Sequence, residues 1–284
     1  MIINKNKHYL LTGGSGYLGR ELVKRLTQLG CDNLLVLSKD ENSLLELKEK
    51  FPQVEVVVGD ISDKNTCEKV CNGVDGIFHL AAFKHVSLAE NNVRECIESN
   101  INGSINLLDC TLKYKPDFII GISTDKASCP TGVYGMTKFF MEKLFAEYER
   151  YNKDTNYRLV RFGNIWNSTG SLATIWIPKM KNGKEICVTD PNATRFFWTV
   201  DEAIDLIFNC LNKADDSTPY TPVMKAVSLQ TVVEACQEVY GKCPVKVIGL
   251  REGEKLHEKI VDSGLDSSKA EQYTKEEFKN KFLS

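Results

Sequence analysis

Short apolar runs alternate with longer amphipathic stretches through about residue 165 of the chain. The first run, Tyr9–Thr12, is followed by a helical pattern from Arg20 to Leu29, and the same succession then repeats. Further apolar runs occupy Asn33–Leu37, Val54–Ile61, Val74–Ala82, Phe118–Ile122 and Arg158–Phe162. Apolar runs of this length, separated by helices, are typical of strands buried on both faces of a parallel sheet. The pattern therefore predicts an α/β protein.

A glycine-rich segment joins the first predicted strand to the first predicted helix. Gly13, Gly16 and Gly19 follow the spacing G-x-x-G-x-x-G, a variant of the dinucleotide fingerprint in the strand–turn–helix context that it requires. Glycine lets the backbone turn tightly and approach a pyrophosphate, which the N–H groups of the helix N-terminus then bind. We therefore expect a Rossmann-type, doubly wound parallel sheet that binds a nicotinamide dinucleotide, with a purely structural turn as the alternative.

The ends of the next strands bear on which dinucleotide binds. An acid at the tip of the second strand usually holds the ribose 2′-hydroxyl of NAD. Here Ser38 is small and neutral and Lys39 is basic, which favours the 2′-phosphate of NADP, although an inward-pointing Asp40 would favour NAD. Asp60 follows the third strand and either caps a helix or meets the adenine amine. The small Ala81–Ala82 pair leaves room for the dinucleotide backbone.

Two motifs after the fifth strand carry the candidate chemistry. Tyr134 and Lys138 are four residues apart, so on a helix the phenol and the ammonium share one face. A nearby ammonium favours the phenolate, which lets a tyrosine act as a base closer to neutral pH than its usual pKa of about 10. Asp125 and Lys126 add an acid and a second amine, which suggests a second proton transfer. In other surroundings both pairs would be ordinary core or surface residues.

Composition excludes several other classes of protein. The formal net charge of −2 gives no electrostatic case for binding nucleic acid or an anionic membrane. No apolar run approaches the roughly 18 residues of a membrane span, and no signal peptide is apparent. The 10 cysteines are scattered without a C-x-x-C pair, which predicts reduced, mostly buried thiols in the cytoplasm rather than disulfides or a metal site.

Taken together, these residues resemble the extended short-chain dehydrogenase/reductase superfamily and, within it, the UDP-N-acetylglucosamine 4,6-dehydratases. The resemblance spans nearly the whole chain. It rests on Thr12–Gly16, Gly59–Ile61, Ala81–Val86, Ser123–Ala127, Tyr134–Lys138, Arg161–Asn164, Thr194–Phe196 and Arg251–Glu258. The Asp-Lys-Ala form of the central motif separates this group from the dTDP-glucose and GDP-mannose dehydratases, which look like Asp-Glu there. The resemblance implies an NADP-dependent hydro-lyase that converts UDP-GlcNAc to a UDP-2-acetamido-2,6-dideoxy-hexos-4-ulose.

The resemblance also implies a role for each catalytic residue. Tyr134 takes the proton of the sugar 4-hydroxyl while hydride passes from carbon 4 to NADP, and Lys138 lowers the Tyr134 pKa and binds the nicotinamide ribose. Thr124 donates a hydrogen bond to the 4-oxygen. Lys126 then removes the carbon-5 proton, and Asp125 protonates the leaving 6-hydroxyl. Hydride returns to carbon 6, so the cofactor ends as it began.

The binding residues implied by the resemblance form two sets. Those expected to contact the cofactor are Thr12, Gly13, Ser15, Gly16, Tyr17, Leu18, Gly19, Ser38, Lys39, Asp60, Ile61, Ala81, Ala82, Lys84, Tyr134 and Lys138. Those expected to contact the UDP-sugar are Lys84, His85, Asn164, Arg195, Arg251 and Glu254. Arg195 and Arg251 are the expected diphosphate clamps, because a guanidinium donates a planar fork to phosphate oxygens. For each substrate residue, a purely structural role is the alternative.

The same resemblance suggests how the chain is organised. Residues 1–164 plus about 193–222 are expected to form the NADP-binding domain, and about 165–192 plus 223–284 a smaller substrate-binding lobe. A homodimer or higher homo-oligomer through helices around 91–112 and 133–150 is the usual superfamily arrangement. The polar tail from Asp262 onward predicts a loose terminal helix, and it is shorter than in related proteins. The loop Asn167–Ser171 lacks the basic residue common there, which weakens a phosphate role for it.

Several functions remain open on these residues. Tyr134 stands where one subgroup has methionine, which favours the dehydratases that invert carbon 5 over those that retain it. A UDP-sugar 4-epimerase or reductase needs Thr124, Tyr134 and Lys138 but has no use for an acid–base pair at Asp125 and Lys126. A non-catalytic NADP-binding regulatory protein on the same fold is the more distant alternative, because fold alone does not fix function.

Overall fold

The computed structural model describes residues 3–284. Six strands form one sheet in the order β3-β2-β1-β4-β5-β6. They are β1 (Tyr9–Thr12), β2 (Leu34–Ser38), β3 (Glu55–Val58), β4 (Gly76–His79), β5 (Phe118–Thr124) and β6 (Asn156–Phe162). Every neighbouring pair in this sheet is parallel. The order reverses between β1 and β4, so the predicted Rossmann-type doubly wound sheet is confirmed.

Helices cover both faces of the sheet and extend into the second half of the chain. They are α1 (Tyr17–Gln28), α2 (Glu41–Lys50), α3 (Lys64–Cys71), α4 (Val86–Asn91), α5 (Val93–Ile97), α6 (Gly103–Tyr114), α7 (Val133–Tyr151), α8 (Leu172–Lys181), α9 (Val200–Lys213), α10 (Leu229–Tyr240) and α11 (Lys275–Phe282). Within residues 3–284, none of these helices combines the length and apolar character that crossing a bilayer requires.

Each central strand contributes side chains to two hydrophobic cores. Leu10 and Leu11 of β1 are both fully buried, yet they belong to different clusters on opposite faces of the sheet. Leu11 packs with residues of α1 and α9, whereas Leu10 packs with residues of α3, α6 and α7. Side chains alternate across a strand, so a sheet covered on both faces needs apolar residues in succession rather than in alternation. This explains the continuous apolar runs in the sequence.

A third core lies in the second half of the chain. It surrounds Trp166, Trp176, Phe197 and Phe278 and packs α8, α10 and α11 against two small sheets. These sheets have the orders β10-β9-β7 and β11-β8, formed by β7 (Asn164–Ile165), β8 (Ile186–Val188), β9 (Thr194–Trp198), β10 (Ala226–Ser228) and β11 (Val245–Val247). The division into two lobes stays a prediction.

Two predicted helices differ from the structure. The stretch around 91–112 is divided into α5, a π-helical turn Glu98–Asn102 and α6. At this turn the buried Asn100 amide donates to the Phe83 carbonyl at 2.9 Å and to the Thr137 hydroxyl at 3.0 Å. The tail was expected to be loose, but Phe278 of α11 is fully buried in the third core. A capping box between Thr274 and Glu277 begins that helix.

Candidate active site

The turn after β5 brings an acid and an amine into contact. Thr124 ends the strand, and residues Asp125–Ala127 form a short 3-10 turn. Asp125 is fully buried, and its Oδ1 accepts hydrogen bonds from the Thr124 hydroxyl and the Lys126 ammonium, each at 2.9 Å. None of the described residues donates to its buried second oxygen, Oδ2. The carboxyl therefore lies behind Lys126 and contacts it through Oδ1.

Helix α7 packs against this turn unusually closely. A Cβ at position 135 would collide with the carbonyl oxygen of Lys126, so only glycine permits the approach. The Glu90 carboxylate accepts from the Val133 N–H at 2.8 Å and fixes the helix N-terminus. Tyr134 is consequently held close enough to Thr124 and Lys126 for both to shift the pKa of its phenol.

The electrostatics of Tyr134 differ from the expectation. Burial raises its pKa to about 12, whereas the Lys126 ammonium and a hydrogen bond with Thr124 act to lower it. Lys138 is buried too, its amine lies 3.2 Å from the Met141 sulfur, and burial lowers its pKa to about 8. The expected activation of Tyr134 by Lys138 is therefore outweighed here, because the desolvation of both groups favours their neutral forms.

Lys126 is flanked by two carboxylates. Burial acts to lower its pKa, but Asp125 and Glu258 outweigh this effect and raise the pKa above its usual value of 10.5. The nearer oxygen of Glu258 lies 3.7 Å from the Lys126 amine. The two carboxylates therefore favour the ammonium form of Lys126, whereas the role of base expected from the sequence requires the neutral amine.

A cavity of about 780 Å³ lies at the carboxyl end of the parallel sheet. Its volume suits a small-molecule or cofactor site, and its position is where open α/β sheets bind ligands. Most predicted site residues line it: Gly13, Ser15, Gly16, Tyr17, Leu18, Gly19, Ser38, Ala81, Ala82, Lys84, His85, Thr124, Lys126, Tyr134, Lys138, Asn164, Arg195, Arg251 and Glu254.

Five predicted residues lie away from the cavity wall. The Thr12 hydroxyl is 3.0 Å from the buried His79 ring, and Ile61 packs in the core against Gly103. Lys39 and Asp60 form an ion pair at 3.3 Å on the outer surface. Asp125 lies behind Lys126, as described above. Four of these residues were expected to contact the cofactor, namely Thr12, Lys39, Asp60 and Ile61. Because they do not line the cavity, any contact that they make with a cofactor is at the edge of the site or through the backbone.

The glycine segment forms a cradle that suits a dinucleotide. Gly13 has φ +67°, and a Cβ there would lie 2.7 Å from the Ala81 nitrogen. Gly16 precedes the first turn of α1, where backbone N–H groups face the cavity. Asp40, whose direction the sequence left open, accepts from the Ser43 N–H at 3.1 Å and from the Ser43 hydroxyl at 2.7 Å. Its carboxylate therefore caps α2.

On the substrate side, two loops meet across the cavity. The Lys84 ammonium donates to the Thr169 carbonyl at 2.9 Å, and the His85 ring covers Gly170. Lys84 thus brings a basic group to the loop 167–171, which lacks one of its own. Arg195 is buried and donates to the Leu256 carbonyl at 3.1 Å.

The remaining substrate-side residues are anchored by their own neighbours. Asn164 accepts from Lys126 at 3.4 Å, which links the start of β7 to the turn Asp125–Ala127. Arg251 and Glu254 share a turn in which the Glu254 carboxylate accepts from the Arg251 N–H at 3.4 Å. This contact agrees with the structural alternative that the sequence left open for Glu254.

Several cavity residues had no predicted role. Trp176 and Lys179 come from α8, Cys187 and Thr189 from β8 and its end, and Leu229 from the start of α10. Their segments have no chemical motif, so sequence alone offers no signal for them. Glu258 also lines the cavity. It ends the Glu-Lys-Leu-His-Glu stretch that carried part of the family resemblance, which was an available signal.

The fold and the site together define an enzyme of the extended short-chain dehydrogenase/reductase type. The family model described as polysaccharide biosynthesis protein matches residues 9–280, and the chain belongs to that family. It is similar to a UDP-N-acetylglucosamine 4,6-dehydratase (inverting) of Campylobacter jejuni, with 32% identity over 263 residues, 90% of this chain and 78% of that protein. It is also similar to a UDP-glucose 4-epimerase of Rickettsia canadensis, with 30% identity over 275 residues, 94% of this chain and 80% of that protein.

A solved structure supports the same placement. Pen from Bacillus thuringiensis superposes with a TM-score of 0.91 at 27% identity, covering 98% of this chain and 97% of that one. The resemblance to the extended short-chain dehydrogenases and their UDP-N-acetylglucosamine 4,6-dehydratase group is therefore confirmed at the level of the family. Relatives of two different activities share similar identity, so the reaction has to be argued from the site.

Proposed function

We propose that this enzyme is an NADP-dependent 4,6-dehydratase that converts UDP-GlcNAc to a UDP-2-acetamido-2,6-dideoxy-hexos-4-ulose with inversion at carbon 5. The observation that carries the proposal is the contact of 2.9 Å between Asp125 and Lys126, because Lys126 lines the same cavity as Tyr134. Oxidation at carbon 4 needs one base. Elimination of water across carbons 5 and 6 needs a further base and an acid, which this pair supplies.

The residues divide the work as follows. NADP, when held by the glycine segment Gly13–Gly19 and by Lys138, would supply a hydride acceptor for carbon 4 and a hydride donor for carbon 6. Tyr134 accepts the proton of the 4-hydroxyl, and Thr124 donates a hydrogen bond to the 4-oxygen. The resulting ketone makes the carbon-5 proton acidic, and Lys126 removes it. Asp125 gives its proton to the 6-hydroxyl, which leaves as water. In these roles Lys126 acts as a neutral amine and Asp125 as a protonated acid, the reverse of their ordinary charge states at neutral pH. A closed, water-poor site can shift the pKa of each group in the required direction.

The choice of NADP rests on the tip of β2. Ser38 lines the cavity, the basic Lys39 lies beside it, and the Asp40 carboxylate is engaged with Ser43. Asp40 also lines the cavity, but both of its carboxylate oxygens already accept hydrogen bonds from Ser43, which disfavours a further bond to a ribose 2′-hydroxyl. Identification by mass spectrometry of the dinucleotide released from purified protein tests this choice. The choice of NADP would be contradicted if the purified protein releases only NAD and binds NAD and NADP with equal affinity in titrations.

A UDP-sugar 4-epimerase is the second candidate, because a relative with 30% identity carries that activity in its name. The two functions differ at carbon 6. Incubation with UDP-GlcNAc in deuterated water, followed by proton NMR, separates them. Dehydration gives a new methyl signal, loss of the hydroxymethyl signals and deuterium at carbon 5, and the ring couplings report inversion. A change at carbon 4 alone supports an epimerase. No change with any UDP-sugar supports a regulatory NADP-binding protein.

The proposal includes assembly into a homodimer through α4, α5 and α7. Leu88, Val93, Met136 and Phe140 are large apolar side chains of these helices, and each is between 44% and 55% exposed. Such a patch on one side of a molecule is typical of a protein interface. Sedimentation equilibrium of the wild type and of Phe140→Asp tests it, because a charge in the interface would shift the mass toward the monomer.

A further inference from the structure

Glu258 is a buried acid whose carboxylate lies near two lysine amines, those of Lys126 and Lys255. It is 2% exposed and faces the cavity. Its backbone is held on both sides by Ser267, whose hydroxyl accepts from the Glu258 N–H at 2.8 Å and whose N–H donates to the Glu258 carbonyl at 2.7 Å. Among residues 3–284, none donates a hydrogen bond to its buried Oε2. A carboxylate kept dry in this way costs stability, so its position needs an explanation.

The carboxylate of Glu258 faces Lys126. Its Oε1 lies 3.7 Å from the Lys126 amine, and Asp125 contacts the same amine at 2.9 Å. Other charged or titratable groups around Lys126 are Tyr134 from α7 and Arg195 from β9. The Lys255 amine lies 3.8 Å from the other Glu258 oxygen. Asp125, Lys126 and Glu258 therefore form a group of carboxyl, amine and carboxyl, of which Lys126 and Glu258 line the cavity.

We propose that Glu258 is the proton acceptor that frees Lys126 to act as the base, an inference that rests on the proposed dehydratase function. With the site closed around substrate, Asp125 carries a proton, Lys126 is an ammonium and Glu258 is a carboxylate. The ammonium passes one proton to Glu258, and the free amine then removes the proton from carbon 5. Asp125 donates its proton to the leaving hydroxyl, which departs as water.

This group of three residues then resets itself. Glu258 returns its proton to Lys126, which hands one proton on to Asp125, so the proton taken from carbon 5 replaces the one lost to water. Once carbon 6 is reduced, solvent supplies a proton to carbon 5 and Tyr134 releases to solvent the proton it took from the 4-hydroxyl, so the count balances over the whole reaction. Glu258 acts through Lys126 and needs no contact with the sugar. It is therefore a positioning residue and not a catalytic one.

Glu258→Gln is the test, because it keeps the shape of the side chain and leaves both backbone bonds to Ser267 intact. We expect dehydration of UDP-GlcNAc and deuterium uptake at carbon 5 to fall about 100-fold or more, the usual contribution of acid–base catalysis. Oxidation at carbon 4 should persist, so the absorbance of the reduced cofactor should rise on addition of sugar. Glu258→Asp should recover part of the rate. The matched control is Glu252→Gln, an exposed acid of the same segment, which should behave as the wild type.

A second readout needs no turnover. NMR of protein labelled with carbon-13 at the lysine ε position reports the ionisation of Lys126, assigned with a Lys126→Arg variant. The Lys126 pKa should fall in Glu258→Gln, because one of its two flanking charges is gone. An unchanged Lys126 titration, or a Glu258→Gln rate and pH profile equal to the wild type, would overturn the inference. Failure of the wild-type protein to dehydrate UDP-GlcNAc would instead refute the proposed function, and the titration would still test the Lys126–Glu258 coupling.

Discussion

The buried ion pair between Arg161 and Glu142 should hold a large share of the stability around the site. Its two side chains are 6% and 5% exposed, and the guanidinium donates to both carboxylate oxygens, at 3.0 and 2.6 Å. The same arginine also donates to the Ile260 carbonyl at 2.8 Å, which connects β6 to the segment that carries Glu258. Replacing Arg161 with methionine leaves the Glu142 carboxylate buried with the Ser123 hydroxyl as its remaining donor among the described residues.

Removing one partner of a buried pair typically costs about 3–5 kcal/mol, because the other charge stays in a medium that does not solvate it. For a chain of this size, the melting temperature should fall by roughly 2–4 °C for each kcal/mol lost. Glu142→Leu should cost a similar amount. The double variant should cost clearly less than the sum of the two single changes, since no uncompensated charge remains, although the Ile260 carbonyl still loses its donor.

Urea unfolding followed by circular dichroism measures these values, with Arg25→Met as the matched control. Arg25 contacts Asp201 and Asp205 on the surface at 3.1 and 2.9 Å, so its loss should cost no more than about 1 kcal/mol. If the single changes at Arg161 and Glu142 cost as little as the control, or if their costs are simply additive, then the pair does not act as a unit and the reasoning fails.

Three further changes test other parts of the structure. Lys138→Met should raise the free energy of unfolding at pH 7 by up to about 3 kcal/mol while abolishing turnover, because burial lowers the Lys138 pKa from 10.5 to about 8. This penalty in the wild type is complete below pH 8 and disappears as the pH rises through 10.5, so denaturant melts of the two proteins should converge at high pH. Gly135→Ala should push α7 from the catalytic turn and lower turnover roughly 100-fold without comparable unfolding, measured by the NMR assay beside a melt. Phe278→Ala should cost about 3–5 kcal/mol in urea unfolding if α11 is part of the core, and almost nothing if that helix is loose.

The parts of the fold that the sequence predicted are those governed by local rules. Strands covered on both faces need unbroken apolar runs, as at β1, and the glycine spacing is required wherever a backbone passes a pyrophosphate. The catalytic turn and α7 also follow each other closely in the chain, so Asp125, Lys126 and Tyr134 had to lie near one another. For these residues, short-range geometry was sufficient to predict the site.

What the sequence did not predict depends on contacts between distant segments. The Lys126–Glu258 approach and the Lys84–Thr169 hydrogen bond each join residues far apart in the chain. The shift of the Tyr134 pKa depends on how dry the site is, which no spacing of residues reports. The terminal helix is a different case. Its Thr274–Glu277 capping box is a local signal that indicates an ordered helix. The prediction of a loose helix rested instead on the polar composition of the tail.

The free-energy cost of burying carboxylate oxygens without a hydrogen-bond donor also bears on which reaction the site performs. Within residues 3–284, the carboxylate oxygens that are buried without a hydrogen-bond donor are Asp125 Oδ2 and Glu258 Oε2, and both belong to residues that flank Lys126. An unsatisfied buried acceptor costs about 1–3 kcal/mol. An epimerase moves one proton at the 4-oxygen and gains nothing from such oxygens. The proposed dehydration must hold a proton for the leaving hydroxyl and accept one from carbon 5, so two carboxyl groups beside Lys126 favour it over epimerisation.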